Sequence, residues 1–94
     1  MSVYVDQLKK TPPTPNWRHT RACHLYADTL VELHEMAGLI GLSRSWFQSR
    51  ADFPHYDITA YRRQQAIARG AIETDREHVF QYVQKKRGQR TADQ

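Results

Sequence analysis

The sequence predicts an α/β domain, with α+β the alternative: a small mixed sheet of four strands and about three helices, in the order β-β-α-β-α-β-α. Three observations lead there. Residues 2–8 and 22–27 alternate apolar and polar side chains, the period of a half-covered strand. Two T-x-x-E capping boxes, Thr29/Glu32 and Thr74/Glu77, each precede a run with helical spacing. Gly41, Gly70 and Gly88 stand where three helices should stop. Alternation of strands and helices implies right-handed crossovers onto a mixed sheet.

In the first segment Val3 and Val5 face one way, Tyr4 and Asp6 the other. Residues 9–16 (KKTPPTPN) read as a loop, because prolines cannot donate to a ladder. In the second strand Cys23, Leu25 and Ala27 share one face, His24 and Tyr26 the other. The first helix starts after Thr29. Leu30, Leu33, Ala37 and Ile40 form its apolar stripe, Glu32, Glu35 and His34 lie away from it, and Gly41 ends it. Residues 45–48 (SWFQ) read as a short third strand, and residues 49–54 as a loop ending in Pro54. A second helix spans about 59–70, with Ala60, Ala66 and Ile67 available for packing. Residues 71–73 give a fourth short strand. A third helix follows from about 75 to 87 on Val79, Tyr82 and Val83. Residues 1–88 then form one domain, and residues 89–94 read as a disordered tail.

Composition narrows the class. A chain of 94 residues fits one core. A domain this small buries only about 60–65% of its unfolded surface, so a homodimer or higher homo-oligomer would help it. With 39% hydrophobic and 26% charged residues it is an ordinary globular composition. No apolar run approaches the ~20 residues of a membrane span, and the N-terminus lacks a signal-peptide pattern. The single cysteine, Cys23, falls on the core face of its strand, which fits a reducing, cytoplasmic setting and not a nucleophile. Net charge is +4, compatible with a phosphate-bearing partner. Much of it sits in Lys85, Lys86, Arg87 and Arg90, where the negative end of a helix explains it without a ligand.

The stretch from Trp46-Phe47-Gln48 to His55-Tyr56-Asp57 is the densest in chemistry-bearing side chains. If residues 55–57 are extended, His55 and Asp57 point the same way. A carboxylate beside an imidazole sets its tautomer and raises its pKa. Such a pair suits acid–base work, a hydrogen-bonding clamp or half a metal site. Two ligands are too few for a metal, so none is assigned; a third, such as His24 or Asp6, would have to converge. The plainer reading makes Asp57 the cap of the second helix and His55 an exposed loop residue. Arg62 and Arg63 fall in the first turn of that helix, where cations oppose the dipole. An anion at this N-terminus would explain them; so would pairing of one arginine with Asp57 or Asp52. Trp46, Phe47 and Tyr56 are either core or platforms for a nucleobase. His24 and Tyr26, sharing a face with Tyr4 and Asp6 if the first two strands pair, form either a pocket floor or a wet face. His34 reads as a boundary residue. Four glycines are too few for a dinucleotide cradle, and no C-x-x-C, H-E-x-x-H or G-x-S-x-G occurs.

The order Tyr4-Val5-Asp6, Cys23-His24-Leu25, Ala27-Asp28-Thr29, Glu32-Leu33-His34, Ile40-Gly41, Trp46-Phe47-Gln48, His55-Tyr56-Asp57, Arg63, Ala68 and Gly70-Ala71 resembles domain-of-unknown-function family 4031 over about residues 3–73. These are small proteins of bacteria and their phages, marked by a His-Tyr-Asp motif. The proline-rich loop before Ala22 and the helix after Thr74 depart from the pattern. The resemblance implies no activity. It implies that His24, Asp28, His34, Trp46, Gln48, His55 and Asp57 belong to the shared pattern, in a prokaryotic or phage cytoplasm.

The leading expectation is a binding module for a phosphorylated, nucleotide-like small molecule, held by Asp6, His24, Trp46, Gln48, His55, Tyr56, Asp57, Arg62 and Arg63, with no cofactor. In a phage it would sequester a host defence signal. The alternative is a hydrolase or phosphodiesterase on such a molecule. There His55 is acid or base, Asp57 its orienting partner, His24 a second acid, and the arginines the phosphate clamp. A nucleic-acid-binding or protein-inhibitor domain stands third, since a pI near 9.5 permits it but no recognition motif occurs.

Overall fold

A seven-residue strand whose side chains alternate between two unlike environments organises the chain. In the computed structural model, which describes residues 2–12, 15 and 20–92 with side chains through residue 88, this is β3 (Arg21–Ala27), the third strand after β1 (Val3–Val5) and β2 (Lys9–Lys10). Then come α1 (Leu30–Leu39), a 3-10 turn (Arg44–Trp46), β4 (Phe47–Gln48), β5 (His55–Ile58), α2 (Ala60–Ala68), β6 (Ile72–Glu73) and α3 (Arg76–Ala92). The sheet order is β4-β5-β3-β1-β6, with β2 hydrogen-bonded to the start of β3. All pairs are antiparallel except β1 with β6, so the sheet is mixed and the molecule is α/β.

Register sorts the side chains. Val5 lies opposite Leu25, Cys23 opposite Ile58 and Leu25 opposite Tyr56. These residues share one face and form the core with Leu33, Met36, Ala37 and Ile40 from α1 and its end, and Ala66 from α2. Each fully buried aliphatic side chain here contributes about 1.5–3 kcal/mol. The other face carries Tyr4 opposite Tyr26, His24 opposite Asp57 and Gln48 opposite His55. α3 covers the Tyr26 half of it. The Tyr26 hydroxyl bonds Thr74 Oγ1 at 2.7 Å and His78 Nδ1 at 2.8 Å, and the Tyr82 ring stands edge-on to it at 5.0 Å.

Several boundaries differ from expectation. Among the described residues the sheet has six strands, not four. Lys9 and Lys10 precede the prolines, keep their N–H groups and pair with Arg21 and Ala22. β1 stops at Val5, where Asp6 turns to meet His24. Residues 44–46 coil before the strand starts. Residues 55–58 form a full strand, for which Pro54 is only the lead-in. On α1, Met36 is buried and Leu30 is half exposed, so the stripe is rotated by part of a turn. On α2, Ala60 faces outward. Thr29 caps α1 as its box requires, accepting from Glu32 N and donating to Glu32 Oε1 at 2.8 Å. The Thr74 box does not form. Thr74 donates instead to the Val5 carbonyl, and Asp75 caps α3 by accepting from His78 N. α3 does not stop at Gly88 but runs on to Ala92, since one glycine costs a helix only about 1 kcal/mol. Residues 13, 14 and 16–19 of the proline loop and the last two of the tail lie outside the described residues.

Candidate functional site

Three side chains meet on the half of the second face that α3 leaves uncovered. His24 and Asp57 are direct cross-strand partners, and His55 sits two residues before Asp57 on the same side of β5. His24 Nε2 lies 3.8 Å and His55 Nε2 3.4 Å from Asp57 Oδ1. The two imidazoles stand edge to face, centroids 4.9 Å apart. Each ring is fixed from behind. His24 Nδ1 donates to Asp6 Oδ2 at 2.7 Å, while Asp6 Oδ1 accepts the His24 backbone N–H at 2.6 Å. His55 Nδ1 donates to the Phe53 carbonyl at 2.7 Å, and the Phe53 ring stacks on His55 at 4.7 Å. Asp6 and His55 are buried, and the Asp57 carboxylate is 45% exposed, so the trio opens to solvent on the Asp57 side. When His55 carries a second proton, on Nε2, it donates toward Asp57, and that contact holds the Asp57 carboxyl below its ordinary pKa, outweighing the burial that raises it.

Asp57 is also a wall of a cleft of about 760 Å³. The 3-10 turn and β4 supply Ser45, Trp46 and Gln48; the entry to α2 supplies Ile58 to Arg62; Arg21 closes another side. Trp46 and Tyr61 present largely exposed rings, at 52% and 67%. The volume lies within the ~300–1,000 Å³ typical of small-molecule sites. Thr59 caps α2 by accepting from Arg62 N, and Thr59, Ala60 and Tyr61 of this helix start line the cleft.

The expected ligand set divides. Asp6, His24, His55 and Asp57 come together, and Asp57 joins them to Trp46, Gln48 and Arg62 around the cleft. Tyr56 does not belong. The pleat turns it to the core, where it is 1% exposed and its hydroxyl bonds His34 Nδ1 at 2.9 Å. Arg63 also points away. Its Nε donates to the Asp6 carbonyl at 2.8 Å and its Nη2 to Glu73 Oε1 at 3.2 Å, tying α2 to β1 and β6. Arg62 turns the opposite way, and its Nη1 donates to the Ile40 carbonyl at the end of α1. The two guanidiniums therefore form no shared clamp. Asp57 does not cap α2, because Thr59 does. Phe47 packs between His34 and Tyr56, and Asp28 holds the Ser2 N–H and the Tyr4 hydroxyl.

Sequence reasoning missed Arg21, Tyr61 and Phe53. Arg21 lay one residue outside the expected strand, and Phe53 sat in a stretch read as loop. Tyr61 carried a usable signal: a large ring beside Arg62 on the outward side of a helix start. Among the described residues no helix is long and apolar enough to cross a membrane. No curated protein and no solved structure matches the chain significantly. Residues 3–86, which span the sheet, the trio and most of α3, match the family described as protein of unknown function DUF4031, and the chain belongs to that family.

Proposed function

We propose that the chain binds a small, ring-bearing phosphorylated molecule of the nucleotide class in the cleft beside Asp57. The supporting observation is the pair of exposed rings, Trp46 and Tyr61, on a 760 Å³ cleft whose wall is the N-terminal turn of α2 with Arg62 and Arg21 beside it. The rings offer stacking surfaces, worth about 1–3 kcal/mol per base. The helix start and the guanidiniums favour an anion. A protein that holds such a molecule unchanged would sequester it, the role a phage setting suggests.

Calorimetric titration with nucleoside mono-, di- and triphosphates tests this, with inorganic phosphate as the ringless control. Nucleotides should bind, phosphate far more weakly, and Trp46→Ala and Tyr61→Ala should each lower affinity about tenfold. Affinity unmoved by both substitutions, or no binding, would reject the reading. A second reading, hydrolysis of the same kind of molecule, is favoured by the convergence of His24 and His55 on Asp57, which itself lines the cleft. Mass spectrometry of the nucleotide after incubation separates the two: intact ligand supports binding, cleaved product supports catalysis.

A further inference from the structure

We infer that His24 Nε2, His55 Nε2 and Asp57 Oδ1 form the protein half of a binding site for a divalent first-row transition-metal ion, zinc in the first instance. The inference does not depend on what occupies the cleft.

Donor–acceptor accounting carries it. The Phe53 carbonyl can only accept, so His55 must carry its proton on Nδ1. Asp6 Oδ1 already accepts the His24 backbone N–H, and Oδ2, 2.7 Å from His24 Nδ1, completes the pairing by accepting the ring proton, so His24 does the same. In the neutral rings both Nε2 atoms are then bare lone pairs. They converge with a carboxylate oxygen, and the three acceptors lie within 4.8 Å of one another. A proton on one ring relieves one contact. A divalent cation satisfies all three atoms at once.

Geometry and second contacts agree. At zinc–nitrogen distances of about 2.0–2.1 Å, tetrahedral ligand atoms stand about 3.3–3.4 Å apart. His55 and Asp57, at 3.4 Å, already have that spacing. His24 and Asp57, at 3.8 Å, need to close by a few tenths of an ångström, and the two ring nitrogens, within 4.8 Å of each other, must draw together to the same spacing, which takes a turn of the part-exposed His24 ring as well as of the half-exposed carboxylate. Metal-bound imidazoles characteristically donate their far N–H to a carboxylate or a backbone carbonyl; Asp6 and Phe53 provide one of each. Both supports are buried, whereas the Asp57 side is open, leaving a coordination position for water or a ligand's oxygen. Two imidazoles and one carboxylate suit zinc or iron(II), not magnesium or calcium, which prefer all-oxygen shells. No other trio of such side chains converges among the described residues.

The test uses the full, tag-free chain, stripped with chelator and titrated with Zn²⁺ and with Co²⁺ as a spectroscopic stand-in. One ion per chain should bind, with cobalt giving visible ligand-field bands and zinc raising the melting temperature. His24→Gln, His55→Gln and Asp57→Asn should each weaken zinc at least tenfold and remove the cobalt bands. Asp6→Asn should weaken it by about 10–100-fold while the three ligands remain. Circular dichroism checks folding; Asp57→Asn keeps the shape of a half-exposed side chain and remains informative if a histidine variant unfolds. His34→Gln should bind as wild type. Absence of metal binding, or binding that survives in Asp57→Asn and in a folded histidine variant, would overturn the inference.

Discussion

Arg62 and Arg63 are neighbours in sequence with opposite duties. A helix turns 100° per residue, so adjacent side chains diverge, and each guanidinium found a different backbone carbonyl. The Arg63 side chain is only 11% exposed, and it holds the end of β1 against α2. Arg63→Met should lower the unfolding free energy by about 1–3 kcal/mol in urea titrations and leave nucleotide affinity unchanged. Loss of affinity without loss of stability would instead return Arg63 to the cleft. The same divergence explains what the sequence could show at this scale. His24 with Asp6 and His55 with Asp57 are each legible as pairs because strand alternation is a two-way choice; that the pairs meet depends on β3 lying beside β5, which only the fold supplies. The arginines are grouped in the sequence by their shared place in the first turn of α2, but adjacent positions on a helix send side chains apart. Tyr56 failed for a related reason: if His55 and Asp57 face one side, pleating must send it to the other.

Helix ends were legible where a side chain had one available partner. Thr29 caps α1 through the N–H three residues on, as its box predicts; Thr59 caps α2 the same way, where the sequence offers Asp57. Thr74 had a competitor that only the folded sheet supplies, the carbonyl of Val5 on the neighbouring strand. Of the two-residue strands, β4 and β6 fall inside the expected 45–48 and 71–73, whereas β2 has no hydrophobic period to read and pairs because the longer β3 lies beside it. The junction of α1 and α2 shows how elements are locked to each other. Gly41 has φ of +80°, and a Cβ built there would lie 2.8 Å from Arg62 Nη1, the atom that bonds the Ile40 carbonyl. Gly41→Ala therefore combines backbone strain of about 1–2 kcal/mol with displacement of Arg62. Urea unfolding should show a loss of about 2–3 kcal/mol. Because Arg62 lines the cleft, nucleotide affinity should fall as well, which separates this variant from Arg63→Met. Unaltered stability would mean that the junction can relax around a methyl group.

The whole molecule is a sheet with a dry face and a divided one. α1 and α2 close the dry face, while α3 closes half of the other through Tyr26 and Tyr82 and, by Arg87 on Asp52 at 3.0 Å, steadies the loop that carries Phe53. Part of the terminal positive charge is thus used within the fold, which sequence position could not show. This arrangement buries several weak acids. Burial pushes the Tyr26 and Tyr82 phenols from 10.0 up to about 12, and the Cys23 thiol from 9.0 up to about 12, with the Asp6 charge adding to the last. All three folded values are raised, so the unfolded chain releases these protons first. Their contribution to stability is complete below about pH 9 and is lost as pH rises from there to about 12. For Tyr26, 0% exposed, a shift of about two units corresponds to roughly 3 kcal/mol across that window. Urea midpoints measured from neutral pH upward should hold level and then fall steeply above about pH 10. Tyr26→Phe should be less stable near neutrality by about 1 kcal/mol, through loss of its bonds to Thr74 and His78, yet decline less steeply in alkali. An equally steep decline in that variant would mean that Tyr26 ionises as freely in the fold as outside it, and that α3 does not seal this half of the sheet.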